Sequence, residues 1–274
     1  MGFSRRLWLG AAPAAAVGAA ALLRPAAAEA QVAAGSTIDN VVKRGTLQVG
    51  VSLGTPPFGI TNASMEPDGY DVNIAKLLAQ QLGVKIAIVD IVAANRIPSL
   101  TTGKVDLVIS SFSITPERAK AIAFSNAVYV DQQVAIGPKA VDMPTVASLA
   151  GKRIGVTRST TNDIALTKQA PPGTEIQRYD DDASTNQALL AGQVQGIVTS
   201  GALAAAIRGR SPALALETKF VVSEAPMAAG LRRDDLEWLH WVNTTLFMLW
   251  TNKQIQPLQQ QWMGVVNQDL PRFG

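Results

Sequence analysis

Val105-Asp106-Leu107-Val108-Ile109-Ser110-Ser111-Phe112-Ser113-Ile114-Thr115-Pro116-Glu117-Arg118 joins a largely apolar run, a hydroxyl-rich loop and a helix start. The run from Val105 to Ile109 has the length and apolar weight of a buried strand, and Thr115-Pro116-Glu117 carries the chemistry of a helix N-terminus. Between them lie three serines, followed by one arginine. A guanidinium offers a carboxylate two parallel charge-assisted hydrogen bonds, and nearby hydroxyls can complete the shell. A serine-rich strand end before a helix is also common without any ligand. Arg118 could equally be a helix-surface residue paired with Glu117 or Asp131.

Outward from this stretch the same alternation repeats. Strands are expected at Leu47–Val51 and Lys85–Val89, with helices over Val72–Leu82, Arg96–Thr102 and from Pro116 to Ala121. Gln132–Ile136 reads as an extended crossing. A second unit follows, with strands at Arg153–Val156, Glu175–Arg178 and Gly196–Thr199. Its helices start near Asn162 and cover Ser184–Leu190 and Gly201–Arg208. Phe220–Val222 and Met227–Leu231 form a return, and Asp235–Trp250 and Gln254–Met263 are C-terminal helices. Short apolar runs alternating with helices specify an α/β fold with mostly parallel strands.

Six stretches in order carry a family resemblance. They are Thr46 to Phe58, Asp68-Gly69-Tyr70-Asp71-Val72-Asn73-Ile74-Ala75, Asn95-Arg96-Ile97-Pro98-Ser99-Leu100 and Gly103-Lys104-Val105-Asp106 leading into the serines. Ser148 to Val156 and Tyr179-Asp180-Asp181-Asp182 complete the set. Over residues 38–264 the chain resembles the polar amino-acid-binding proteins of bacterial ABC importers, solute-binding protein family 3. The resemblance implies a two-lobe periplasmic binding protein fold of type II with two hinge crossings. Lobe 1 would hold residues 31–132 and 224–274, and lobe 2 residues 133–223. The ligand would lie between them, at strand C-terminal ends, where open α/β sheets bind.

The resemblance also assigns roles. Arg118 matches the arginine that clamps the ligand's α-carboxylate, and Ser111 and Ser113 match ligand-facing positions. Ser110 either joins that shell or packs beneath it. Ser159-Thr160-Thr161-Asn162 matches a turn that meets the carboxylate from lobe 2, where hydroxyls cap a helix and free N–H groups face an anion. Thr157 matches a side-chain contact. Three departures stand out. Ser200 occupies the place of the acid that holds the α-ammonium, and Thr55 and Ala93 occupy the two wall positions. The pocket thus keeps a carboxylate clamp and loses its usual ammonium clamp and aromatic sandwich. Losing a charge partner in a closed site typically costs roughly 2–5 kcal/mol. Either another acid serves the ammonium or the ligand has none.

Other residues carry less. His240 is the single histidine, which excludes a multi-histidine metal site, and Ser200-Gly201 lacks a nucleophile elbow and a histidine partner. Trp238, Trp241 and Trp250 read as packing. Asp180-Asp181-Asp182 reads as a solvated turn with a helix N-terminal charge patch. No cysteine is present, which removes disulfides, thiolate metal sites and a lipid-attachment cysteine.

Residues 1–30 have the pattern of an export signal. Arg5-Arg6 precede an alanine-rich apolar segment, and Ala28-Glu29-Ala30 fits a cleavage site before Gln31. The paired arginines suit a twin-arginine signal or an ordinary one. Arg5, Arg6, Arg24 and Glu29 together carry +2, so the net charge of +3 falls to +1 on cleavage. No basic, aromatic-interleaved surface for nucleic acid is visible. The expectation is a monomeric periplasmic solute-binding protein without cofactor or covalent chemistry. It would capture a small carboxylate-bearing, amino-acid-like solute for an ABC permease complex in the inner membrane. Two alternatives share the fold: a cyclohexadienyl-type dehydratase and a sensory binding protein.

Overall fold

The computed structural model describes residues 36–271, which fall in one compact unit. The export signal expected at residues 1–30 lies outside them. The strands are β1 Thr46–Val51, β2 Ile60–Thr61, β3 Pro67–Asp68, β4 Lys85–Asp90, β5 Leu107–Val108, β6 Ile122–Pro138, β7 Arg153–Thr157, β8 Glu175–Tyr179, β9 Gly196–Ser200 and β10 Leu216–Arg232. The helices are α1 Thr37–Arg44, α2 Tyr70–Leu82, α3 Arg96–Thr101, α4 Pro116–Ala119, α5 Thr161–Gln169, α6 Asp182–Leu190, α7 Gly201–Arg210, α8 Leu236–Thr251 and α9 Ile255–Met263.

Eight strands form one sheet in the order β4-β1-β5-β10-β6-β9-β7-β8. At one end β1 lies parallel to β4 and β5; at the other β7 lies parallel to β8 and β9. The 17-residue strands β6 and β10 run antiparallel between these halves. The fully buried side chains segregate accordingly. One pair of clusters draws on residues 41–129 and 227–255, including Tyr70, Leu107, Phe112 and Trp238. The other pair draws on residues 134–216, including Ile136, Leu149, Val156 and Ile197.

Local chemistry sets the element ends. Gly83 closes α2 at φ 67°, a left-handed conformation that glycine adopts without the Cβ penalty. Thr115 caps α4 by accepting the Arg118 N–H at 3.2 Å, with Pro116 at the first helical position. Asp235 caps α8 by accepting the Trp238 N–H at 3.0 Å.

Several expected elements change extent. The strand expected over Val105–Ile109 shortens to Leu107–Val108, although the Asp106 and Ile109 amides still donate to Gln48 and Gly50 at 2.9 and 3.0 Å. The helix from Pro116 is one turn, because the chain enters β6 at once. The crossing at Gln132–Ile136 is part of the longer β6, and the two return segments are one bulged strand, β10. Helix α1 and the β2–β3 hairpin carry no expectation from the sequence. The tryptophan expectation holds for Trp238, which is buried, stacks on Trp241 at 5.3 Å and donates its indole N–H to the Asp106 carbonyl at 3.1 Å.

Candidate functional site

The C-terminal ends of β1, β5, β7 and β9 all open onto one cleft between the two halves of the sheet. A parallel strand end presents its following loop to that edge, so four loops converge there. The cleft is lined by residues including Arg96, Ser111, Ser113, Thr160, Thr161 and Ser200. Thr55 and Asp182 line it as well and also line an adjoining space that includes Ala93 and Thr157.

Arg118 stands where the loop after β5 becomes α4. It is only 9% exposed and pairs with neither Glu117, which bonds Lys120, nor Asp131. Its Nη1 donates to the Ser113 carbonyl at 2.7 Å and its Nη2 to the Ser159 carbonyl at 3.0 Å. A guanidinium has five N–H donors, so three remain. Burial pushes its pKa down to about 10, with the charge of Arg96 adding to the shift. A buried cation held this way gains from an anion beside it.

The loop around Arg118 is conformationally constrained. Ser111 has φ 40° and Ser159 φ 62°, left-handed values that cost a non-glycine residue on the order of 1–3 kcal/mol. The Ser111 N–H donates to Asp71 Oδ2 at 2.6 Å, which holds the strained turn from below. Thr160 caps α5, accepting the Asp163 N–H at 3.1 Å while its hydroxyl donates to the Thr157 carbonyl at 2.6 Å. Thr161 and Asn162 open α5, where backbone amides have no acceptor within the helix, and both residues line the cleft. The buried Asn162 Oδ1 lacks a hydrogen-bond partner there.

Three contacts cross the cleft. Ser113 Oγ and Thr161 Oγ1 lie 3.0 Å apart, Arg118 reaches Ser159, and Thr55 Oγ1 donates to Asp182 Oδ2 at 2.7 Å. Gln133 on β6 supports this line by donating to Thr161 Oγ1.

The structure brings Ser111, Ser113, Thr160, Thr161, Ser200 and Thr55 together on the main cleft, and Thr157 and Ala93 beside it. Arg118 backs that wall from the loop after β5. Ser110 packs beneath instead. It is fully buried, with its Oγ 2.7 Å from Ser52 Oγ and accepting the Ser52 N–H at 3.1 Å.

Two acids need a new description. Ser200 donates its hydroxyl to Asp131 Oδ2 while accepting the Leu203 N–H at 3.2 Å to cap α7. Asp131 is buried behind Ser200, its pKa raised by desolvation against several hydrogen bonds that lower it. A carboxylate introduced at position 200 would therefore face a second acid. The Asp180-Asp181-Asp182 run is not uniformly solvated. Asp180 pairs with Arg158 at 3.0 Å and Asp181 caps α6 through the Ser184 N–H at 2.7 Å. Asp182 turns into the cleft, accepting from Thr55 and from Thr157 Oγ1 at 2.6 Å. Sequence reasoning missed it because acidic clusters before a helix are normally caps.

Arg96 was also missed. It opens α3, lines the cleft and is 4% exposed. The sequence signal was present: an arginine flanked by Ile97, Pro98 and Leu100 on one helix turn has to bury its stem.

Known proteins resemble this chain in sequence and fold. The family model for bacterial extracellular solute-binding proteins, family 3, matches residues 47–265. ABC transporter arginine-binding protein 1 of Escherichia coli strain K12 is 30% identical over 220 residues, covering 79% of this chain and 90% of its own. The structure of a P235GK mutant of ArgBP from T. maritima matches with TM-score 0.78 and 32% identity, over 84% of this chain and 100% of that one. An ancestral amino-acid-binding protein, described as a precursor of cyclohexadienyl dehydratase, matches with TM-score 0.77 and 30% identity, over 83% and 100%. No helix among the described residues is long and apolar enough to cross a membrane. By sequence and overall fold, the chain belongs to the bacterial extracellular solute-binding proteins, family 3.

Proposed function

We propose that this protein captures a small carboxylate-bearing, amino-acid-like solute in the periplasm and presents it to an ABC permease complex in the inner membrane. It works as a monomer of two lobes, residues 31–132 with 224–274 and residues 133–223, joined by the two crossings in β6 and β10. The observation that carries this is the set of three cross-cleft contacts, each tying a residue of one lobe to a residue of the other. Arg118 backs the cleft wall at Ser113 and Ser159, and Thr161 and Asn162 at the N-terminus of α5 line the cleft from the other lobe, so a carboxylate bound there would lie near both. A ligand that contacts both lobes favours the closed form by its differential affinity, and closure is the signal a transporter can read.

Relatives whose names state what they bind take arginine, histidine or cystine, all α-amino acids. A carboxylate held by Arg118 is the feature such ligands would share with this chain's solute. No step of this function forms or breaks a covalent bond.

A thermal-shift panel on the purified protein tests the reading. A ligand at 100 times its dissociation constant stabilises by about 2.7 kcal/mol, a readily measured shift. At least one amino acid or small carboxylate should stabilise the protein; a panel of both classes without any shift would contradict the proposal. Export should leave a protein beginning near Gln31, and a mass spectrum of the cell fraction retaining residues 1–30 would contradict that part.

A further inference from the structure

We propose that Asp131 is a hinge latch: its carboxylate ties the N-terminus of α7 to the crossing strand β6 and so favours the closed form of the molecule. The inference rests on the proposed function, in which two lobes close on a solute, and names a positioning residue for that closure.

Strand β6 is anchored on both sides of Asp131. Just before it, the Val130 N–H donates to Asn267 Oδ1 at 3.0 Å, and the Val130 carbonyl accepts Asn267 Nδ2 at 3.4 Å. Asn267 is fixed in turn by the fully buried Gln259 on α9, whose Oε1 accepts the Asn267 N–H at 2.9 Å. Just after Asp131, Gln133 pairs with Ser200 in the β6–β9 ladder. The apolar core on one side includes Tyr129, and that on the other begins at Val134. Asp131 and Gln132 therefore lie where β6 passes from one half to the other, and a rotation between the halves is taken up there.

Asp131 stands on the first half and binds the second. It is 6% exposed, and its Oδ2 accepts the Ser200 hydroxyl and, at 3.5 Å, the Ala202 N–H. The Gly201 and Gln132 amides donate to the same carboxylate. Ser200 is the cap of α7, and Gly201 is its first residue. A Cβ on Gly201 would stand 3.2 Å from Asp131 Oδ1 and 3.2 Å from the Gln132 carbonyl oxygen. The helix start comes this close to the strand because position 201 carries no side chain.

No cation pairs with Asp131 among the described residues. Its charge is met by the Ser200 hydroxyl and by amides at the positive end of α7. Those donors belong to the half that moves. Opening draws them away, and a carboxylate left at a buried position without donors is costly. That difference favours the closed form whichever solute occupies the cleft.

Calorimetric titration of wild type and Asp131→Ala with L-arginine, L-histidine, L-glutamate and glutarate tests the latch. A residue that acts on closure should weaken every probe that binds by one common factor, about 5-fold or more, and leave the preference among probes as it was. Asp131→Asn should fall between the two. Gly201→Ala, which presses on the same contact, should weaken binding in the same direction. A merely structural role would lower the melting temperature and leave the affinities of the folded protein unchanged. Unchanged affinities in a folded Asp131→Ala variant overturn the inference, as does a loss confined to one probe among several that bind. If Asp131→Ala does not fold, Asp131→Asn and Gly201→Ala decide by the same criteria. If none of the four probes binds, small-angle scattering of the ligand-free proteins decides: a larger radius of gyration in Asp131→Ala than in wild type supports the latch, and equal radii overturn it. Absence of binding itself counts against the proposed function and not against the latch.

Discussion

Asp71 shows how a residue far from any exposed surface can govern the site. Burial raises its pKa to about 7; the Ser111 N–H and the charge of Arg96 only partly oppose the shift. The folded pKa lies above the ordinary 3.8, so the folded protein holds a proton that the unfolded chain releases. Stability therefore falls as pH rises between about 4 and 7, by at most about 4 kcal/mol over the window. In Asp71→Asn the amide oxygen can still accept the Ser111 N–H, and the titration is gone. Melting curves should show wild type losing more stability than Asp71→Asn between pH 5 and pH 8. Parallel losses in the two proteins would contradict the account.

The same scale shows what a sequence can reveal of a site. The hydroxyls at Ser111, Ser113, Thr160 and Thr161 were legible because a strand end, a loop and a helix cap each have their own residue chemistry. Asp182 was not, and of Arg96 only the burial of its stem was. Their roles depend on which way a side chain turns at a helix start, and that is set by packing across the cleft.

At the scale of elements, the decisive pair is β6 and β10. Gln132 and Gln133 face Glu224 and Ser223 in the ladder, where the chain passes between the two halves of the core. Their side chains tie the crossing together, Gln132 Nε2 donating to Glu224 Oε1 at 3.2 Å and Ser223 Oγ to Gln133 Oε1 at 2.7 Å. Short strands such as β7, β8 and β9 were legible from compact apolar runs. These long strands were not, because Ser223-Glu224-Ala225-Pro226 reads as a break. In the structure this stretch pairs in register, Pro226 opposite Val130, and the register shifts lie on either side of it, between Val221 and Ser223 and between Met227 and Ala228.

Gly230 on β10 links this frame to the site. A Cβ there would stand 2.8 Å from Phe112 Cε1 and 3.2 Å from Ile122 Cδ1. Phe112 is fully buried and packs edge-on against Phe124 at 5.1 Å, so it has little room to yield. Gly230→Ala should destabilise the protein by about 1–3 kcal/mol, as overpacked cores do. It should also weaken ligand binding, because the ring that seats Arg96 and Arg118 must move. Denaturant unfolding and a ligand titration check both; unchanged affinity in a destabilised variant would separate Phe112 from the site.

At the scale of the molecule, the sheet is continuous but the core is not. Two sets of buried clusters meet along β6 and β10, and the polar cleft lies where they part. This division was legible from the order of motifs, since each half repeats the strand–helix alternation around its own apolar runs. The degree of closure was not, because it depends on Thr55, Ser113 and Arg118 finding partners more than 40 residues away in the chain. Such a molecule would bind by closing, and the group that spans both halves decides whether it can.

That group is Arg118, and its truncation is the most direct test. Calorimetric titration of Arg118→Ala with the tightest wild-type ligand should show affinity lowered by about 30-fold or more, because a buried charge pair is removed and a cross-cleft bond with it. The variant should keep its native circular dichroism, since the guanidinium's hydrogen bonds lie at the cleft wall and not in the apolar core. Near-native affinity in a folded Arg118→Ala protein would contradict the account.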